Sequence, residues 1–253
     1  MLFSATIPNG YLIKNLIDIL FQNFQDDGCL QINLEGIFLS QICSNMQKMV
    51  NLEIKSENIT DYIFNGDPLT IGINWAAFLK NLKRIKMKDK LTISIHEEKT
   101  LNIEISSEGS DRKTISTINI HHIQRTEVEP ITGYISRPIV INSRDFNNMC
   151  KELRSDHNFI EIQSAGANHI CFTGENNGIT QKKIIIGKED PKCLEPYFDR
   201  FQIDHITKLS KLNGISEIIK IFHGKNLPIM FQSNIGNLGT LSITIRAKKD
   251  ETI

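Results

Sequence analysis

The chain has 253 residues, 29 basic and 29 acidic, and a formal net charge of zero. Apolar residues make up 40% of it, which suits a globular protein of one large or two medium domains and excludes a disordered chain or a uniformly cationic coat for nucleic acid. Five cysteines (Cys29, Cys43, Cys150, Cys171 and Cys193), an odd number with no CxxC pair, read as unpaired thiols in a reducing compartment; no secretory leader or membrane-length apolar run is seen, so a soluble intracellular protein is expected.

In chain order, Tyr11–Phe24 reads as an amphipathic helix, followed past the Asp27-Gly28 turn by β-patterned residues from Cys29–Asn33 to Ile42. A second helix is expected over Trp75–Ile85, then strands at Leu91–His96 and Thr100–Ser106. Asn119–Ser136 is polar, holds Pro130 and Gly133, and reads as an exposed connector between domains. Beyond it come a helix over Ser143–Arg154, a strand at Asn158–Ser164, and a helix over Ile203–Asn213. Strands at Ser216–Phe222, Leu227–Ser233 and Gly239–Arg246 follow, with a turn at Gly236-Asn237-Leu238-Gly239 and a charged tail expected to be loose. The class is α+β: helix-plus-antiparallel-sheet repeats in two similar domains, 1–118 and 137–253, joined by 119–136.

The four helices recur every 60–70 residues or so, each trailed by β-rich hairpins, which is the mark of one repeated supersecondary unit. Plotted at about 100° per residue, the second helix puts Trp75, Phe78, Leu79, Leu82 and Ile85 on one stripe, with Lys80 and Arg84 opposite and Lys83 flanking. The third buries Phe146, Met149, Cys150 and Leu153 and turns Arg144 and Lys151 outward, with Arg154 flanking. The fourth buries Ile203, Ile206 and Leu209 and exposes Lys208 and Lys211; the first offers only Lys14. Lysine on the wet side of one helix is ordinary. Its recurrence, with Asp18, Asp145, Glu152 and Asp204 as the only acids on these faces, suggests phosphate contacts that position without reading bases. Strands at the two chain ends are expected to be unpaired edges open to assembly.

Catalytic signatures are missing. The seven histidines form neither HxxxH nor HExxH, and there is no GxSxG, P-loop or GxGxxG. His121-His122 in the connector is the one histidine cluster, and Glu97-Glu98 reads as turn charge. No metal, no cofactor and no enzymatic activity are expected.

Five segments in order carry a resemblance: MLFSATIPNGYLIKNLIDIL, EGIFLSQICSNMQKMVNLEI, INWAAFLKNLK, SRDFNNMCKEL and NLPIMFQSNIGNLGTLSITIRAKKDETI. Together they resemble the DNA sliding clamp family of eukaryotes and archaea, proliferating cell nuclear antigen. The resemblance implies a homotrimeric ring around double-stranded DNA, acting in replication and repair in the nucleus or a viral replication compartment. It implies a clamp loader, and a DNA polymerase and other clamp-binding peptides as partners. By position it places Lys14, Lys80, Lys83, Lys151 and Lys211 in the hole, to which the helix angles add Arg84, Arg144, Arg154 and Lys208. Ile42, Met46, Met49, Val128, Pro130, Ile131 and Pro228 would form the partner-peptide groove. Ring closure would pair Lys113–Ile120, with Lys113, Ile115 and Ile118, against the next chain's Thr180–Ile186, with Thr180, Lys182, Ile184 and Ile186. The chain departs from the family in Asn15 and Phe21 on the first helix, Thr244 near the groove, Arg246-Ala247-Lys248 at the end, and its neutral charge. A non-encircling monomeric or dimeric polymerase or transcription accessory factor, or one subunit of a heterotrimeric checkpoint-type clamp, fits the same residues.

Overall fold

The structure, a computed structural model, describes residues 1–24, 27–97, 99–107, 109, 111–123, 128, 131–134, 137–153, 157–166, 168–176, 180–189 and 196–248. It divides into an N-terminal unit, Met1–Val128 with Asn234–Leu241, and a C-terminal unit, Glu129–Ser233 with Ser242–Ile253. The division falls inside the expected connector, although Asn119 still ends a strand and His121 is bridged to Gly72.

The N-terminal unit runs β1 (Phe3–Ile7), α1 (Gly10–Asn23), β2 (Gly28–Asn33), β3 (Gly36–Ile42), β4 (Lys48–Lys55), β5 (Asp61–Phe64), β6 (Leu69–Ile73), α2 (Trp75–Leu82), β7 (Asp89–Ile95), β8 (Thr100–Ser107) and β9 (Lys113–Asn119). The C-terminal unit runs β10 (Ile139–Asn142), α3 (Ser143–Leu153), β11 (Phe159–Ser164), β12 (His169–Asn176), β13 (Thr180–Gly187), β14 (Tyr197–Gln202), α4 (Ile203–Thr207), a 3₁₀ segment (Lys208–Gly214), β15 (Ile218–Phe222), β16 (Ile229–Asn234) and β17 (Gly239–Ile245). Apart from β5, the two lists are the same motif, strand-helix-three strands, written twice in each unit.

The hydrogen-bonded order is β5-β1-β7-β8-β9 and β4-β3-β2-β6 in the first unit, and β10-β15-β16-β17 and β13-β12-β11-β14 in the second. Neighbours are antiparallel, as in β8 on β9 (Leu101 opposite Ile118) and β12 on β13 (Phe172 opposite Ile184). The expected edges at the two chain ends are corrected: β17 has a strand on each side, and β1 lies between β5 and β7, as suits Phe3–Ile7, which is buried throughout. The sheets end instead on β5 and β9, on β6 and β10, and on β13 and β14. Asn234–Leu241, the turn from the end of β16 with the first three residues of β17, folds with the first unit, where the Leu238 carbonyl accepts from the Lys55 N–H at 3.1 Å. Lys248 is anchored by its N–H on the Arg200 carbonyl, and the rest of the tail lies outside the described residues.

Local chemistry sets the helix starts. Asn9 caps α1 by accepting from Leu12 N–H, and Asn74 caps α2 by accepting from Ala77 N–H at 2.9 Å. Two helices end earlier than their apolar stripes. α2 stops at Leu82, where Lys83 and Ile85 switch to i→i+3 bonds on Lys80 and Leu82. α4 holds only Ile203–Thr207 before tightening to 3₁₀, in keeping with three β-branched residues among five.

The stripes nevertheless face inward. Trp75, Phe78 and Leu82 are buried in the first unit, where α1 and α2 pack together. Phe146 is fully buried in the second, with its ring 6.1 Å from Phe172 and 5.7 Å from Phe231. Each such burial contributes about 1.5–3 kcal/mol. Gly28 is obligatory for this arrangement, since a Cβ there would lie 1.9 Å from the Trp75 ring. Cys29, Cys43, Cys150 and Cys171 are buried and in no disulfide; Cys193 lies outside the described residues. Among the described residues no helix is long and apolar enough to cross a membrane.

Candidate nucleic-acid interface and sheet edges

Burying one stripe of an amphipathic helix fixes where the opposite side points. In the N-terminal unit Lys80 is exposed on the last turn of α2, and Lys83 and Arg84 are exposed just past the helix end. On α1, Lys14 is half-buried, with its ammonium 4.9 Å from the centre of the Tyr11 ring, a cation–π contact. In the C-terminal unit Arg144 and Lys151 are exposed along α3. Lys211 is exposed on the 3₁₀ segment and Lys208 is half-buried. Arg154 lies outside the described residues. Each unit therefore carries its cations on the wet sides of paired helices, mostly as flexible lysine point charges rather than fixed forks. Chemically that surface suits phosphate contact without base readout.

Three more cations lie beyond the helix faces. Lys86, Lys88 and Lys90 follow the end of α2 and are all exposed. They lie outside any helical stripe, so a count of charge along the sequence would have found them where a helical wheel could not.

The edge strands differ in what they present. On β9, Ile115 is 66% exposed whereas Ile118 is buried against its own sheet. Lys113 Nζ lies 2.8 Å from Glu104 of β8. On β13, Lys182 Nζ lies 2.8 Å from Glu152 of α3, while Ile184 and Ile186 are half-buried. Ile185 is 56% exposed. The backbone of Thr180 starts this strand; its side chain is outside the described set.

The groove residues divide between the units. Ile42 and Met46 are exposed at the β3–β4 turn, Met46 with a φ of 55°, while Met49 is buried and Val128 half-buried. The turn is tied by Cys43, whose thiol donates to Asn45 Oδ1 at 2.8 Å and accepts from Lys48 N–H. Ile131 and Pro228, in the C-terminal unit, are half-buried, and Pro130 lies outside the described residues.

Perturbed acids gather in the C-terminal unit. The Tyr197 ring stacks on His223 at 4.6 Å, and the two line a cavity of about 290 Å³ with Asp199 and Lys225. Burial pushes the Tyr197 hydroxyl up, helped by the Asp199 carboxylate, raises Asp199, and lowers His223. All three are thereby biased towards neutral forms, a structural arrangement rather than a reactive one. In the N-terminal unit, burial alone pushes Tyr62 up to about 12; its hydroxyl hydrogen-bonds the Gly36 carbonyl at 2.9 Å.

Repeated strand-helix-meander units with helix pairs on sheets define a DNA-clamp fold, and sequence comparison agrees. The N-terminal domain profile of proliferating cell nuclear antigen matches residues 2–128. A probable DNA polymerase sliding clamp of Paramecium bursaria Chlorella virus 1 is 22% identical over 97% of this chain and 96% of its own length. Proliferating cell nuclear antigen of Chaetomium thermophilum is 21% identical over 98% of both chains, and the sliding clamp of Methanococcus vannielii 23% identical over 92% and 94%. The chain belongs to the proliferating cell nuclear antigen family of DNA sliding clamps, as a divergent member. It is a clamp, or processivity factor, of a family of non-catalytic scaffolds.

Proposed function

We propose that this clamp closes into a ring of three identical chains around duplex DNA and tethers a DNA polymerase and other peptide-bearing enzymes to it. The observation that supports the ring is that β9 in one unit and β13 in the other, the two strands the resemblance pairs, each end a sheet. Such edges expose a row of N–H and C=O groups that a second chain can satisfy. Their charges favour one direction of pairing. Lys113 starts β9, and Lys182 and Lys183 lie near the start of β13, with no acid in either strand. Antiparallel docking moves these lysines to opposite ends of the joint, whereas parallel docking would bring like charges together. Relatives named DNA polymerase sliding clamps support a polymerase as partner. A loader, the peptide groove and a nuclear or viral replication compartment are part of the same proposal, supported by kinship alone.

Grip without a fixed register needs many weak phosphate contacts and a closed path. Neutral net charge fits this, with cations on the helix sides and compensating acid elsewhere. The test has two arms. Sedimentation should give three times 28.8 kDa at micromolar concentration. Protein retained on nicked circular duplex should be lost when the circle is cut. A monomer, or equal retention on cut DNA, would sink the ring.

A further inference from the structure

The exit of α2 concentrates charge in a way nothing else in the described structure does. Between Lys80 and Lys90 lie six cations, Lys80, Lys83, Arg84, Lys86, Lys88 and Lys90, and every one is exposed. None makes an ion pair among the described residues. The one acid in the stretch, Asp89, is 5% exposed and points inward. One of its carboxylate oxygens accepts from Lys86 N–H at 2.8 Å and the other from the Ser107 hydroxyl at 2.8 Å. The Asp89 N–H in turn donates to the Lys86 carbonyl. Asp89 thus fixes the turn rather than neutralising it.

Helix stability does not account for so many cations. Basic residues at a helix C-terminus complement its dipole, but the effect fades within the last turn, where Lys80 and Lys83 already lie. Lys86, Lys88 and Lys90 lie beyond it and add mutual repulsion. The repeat supplies an internal control. The equivalent exit in the C-terminal unit holds Lys208 and Lys211 and then runs Leu212, Asn213, Gly214, Ile215, Ser216, Glu217. The apolar anchors are kept in both exits, as buried Leu82 and Ile85 and as buried Leu212 and Ile215. Only the wet positions differ.

We propose that the turn Lys86–Lys90 is a second phosphate-binding patch of this clamp, contacting the backbone of duplex DNA beyond the helix faces. This rests on the sliding-clamp reading and adds residues to it. The surface is open, rich in lysine and without a shaped pocket. That is the chemistry of sequence-independent phosphodiester contact rather than of base readout or a fitted peptide.

The test is equilibrium binding of the full chain to a short labelled duplex across a salt series, comparing wild type, Lys80→Glu/Lys83→Glu and Lys86→Ala/Lys88→Ala/Lys90→Ala. Each phosphate contact contributes roughly 0.9 to the slope of log K against log salt, so the triple variant should be shallower by about 2 to 3. Replacing the same three lysines by arginine should restore the wild-type slope, and thermal melts should show all variants folded. An unchanged slope in the triple variant, with a reduced one in the helix pair, overturns this proposal and leaves the clamp reading standing. Loss of binding to oligo-glutamate with an unchanged duplex slope overturns it in favour of an acidic protein partner. Wild type with no salt-dependent duplex binding overturns both.

Discussion

The two units use one topology with different fillings. The N-terminal core is built on aliphatic α1 residues and on Trp75 pressed over Gly28, whereas the C-terminal core is built around Phe146, Phe172 and Phe231. The fold therefore constrains which positions are apolar and leaves open which side chains fill them. Outside the core the freedom is wider still, as the α2 and α4 exits show. Function can diverge between repeats on the wet side without touching the scaffold.

The largest effect expected is on the C-terminal core. Phe146→Ala removes a ring that is completely buried, which costs about 3–5 kcal/mol. Trp75, the only tryptophan, reports on the N-terminal unit alone. In urea the backbone signal should begin to fall well before tryptophan fluorescence changes. A common shift of both signals would mean that the units unfold together and that the contrast between their cores has no separate consequence.

Gly28→Ala sharpens the contrast from the other side. Its new Cβ would lie 1.9 Å from the Trp75 ring, and overpacking of this kind costs about 1–3 kcal/mol. Here the fluorescence midpoint should move first. A midpoint equal to wild type would show that the ring can swing aside.

The helices' buried faces were legible in the sequence because they depend on local period. Phe146, Met149, Cys150 and Leu153 are all buried, as the spacing requires. Helix ends were harder, since α2 stops at Leu82 and α4 at Thr207 through local hydrogen bonding that an apolar stripe does not encode. Strand neighbours were harder again. Nothing near Phe3–Ile7 tells that β5 will cover it, because its partners run from Phe64, opposite Phe3, to Asp61, opposite Thr6, more than 50 residues away along the chain. The candidate cations on helices could be placed by angle, but Lys86, Lys88 and Lys90 could not, as they follow a turn fixed by Asp89.

Acid should separate the units further. Burial lowers the His223 pKa, so the folded C-terminal unit holds fewer protons than the unfolded chain once pH falls below the ordinary histidine value of about 6.5. Its stability is full above that value and declines as pH falls towards the folded pKa. Asp199, raised by burial, works the other way nearer the carboxylate range, so the clean window is about pH 5–7. His223→Phe should flatten the decline, while tryptophan fluorescence from the N-terminal unit stays level. Alkali should not discriminate. Tyr62 in one unit and Tyr134 and Tyr197 in the other are all raised by burial, so each unit loses stability as pH climbs past about 10.

The smallest effects on folding concern the two edge strands, and there folding and assembly should part. Lys113–Glu104 and Lys182–Glu152 are both 2.8 Å pairs, but at least one partner of each is largely exposed. Exposed pairs of this kind contribute about 0.2–1 kcal/mol. Glu104→Gln and Glu152→Gln should therefore leave urea midpoints almost unchanged. Each nevertheless leaves a lysine uncompensated on a strand proposed to join another chain. Self-association should weaken at low salt and recover as added salt shortens the screening length to about 3 Å near 1 M. Glu104→Gln should have the stronger effect, because Glu104 is 31% exposed and Glu152 51%. Sedimentation at two ionic strengths measures this directly. Loss of assembly that salt does not reverse would mean that these carboxylates shape the edges rather than neutralise them.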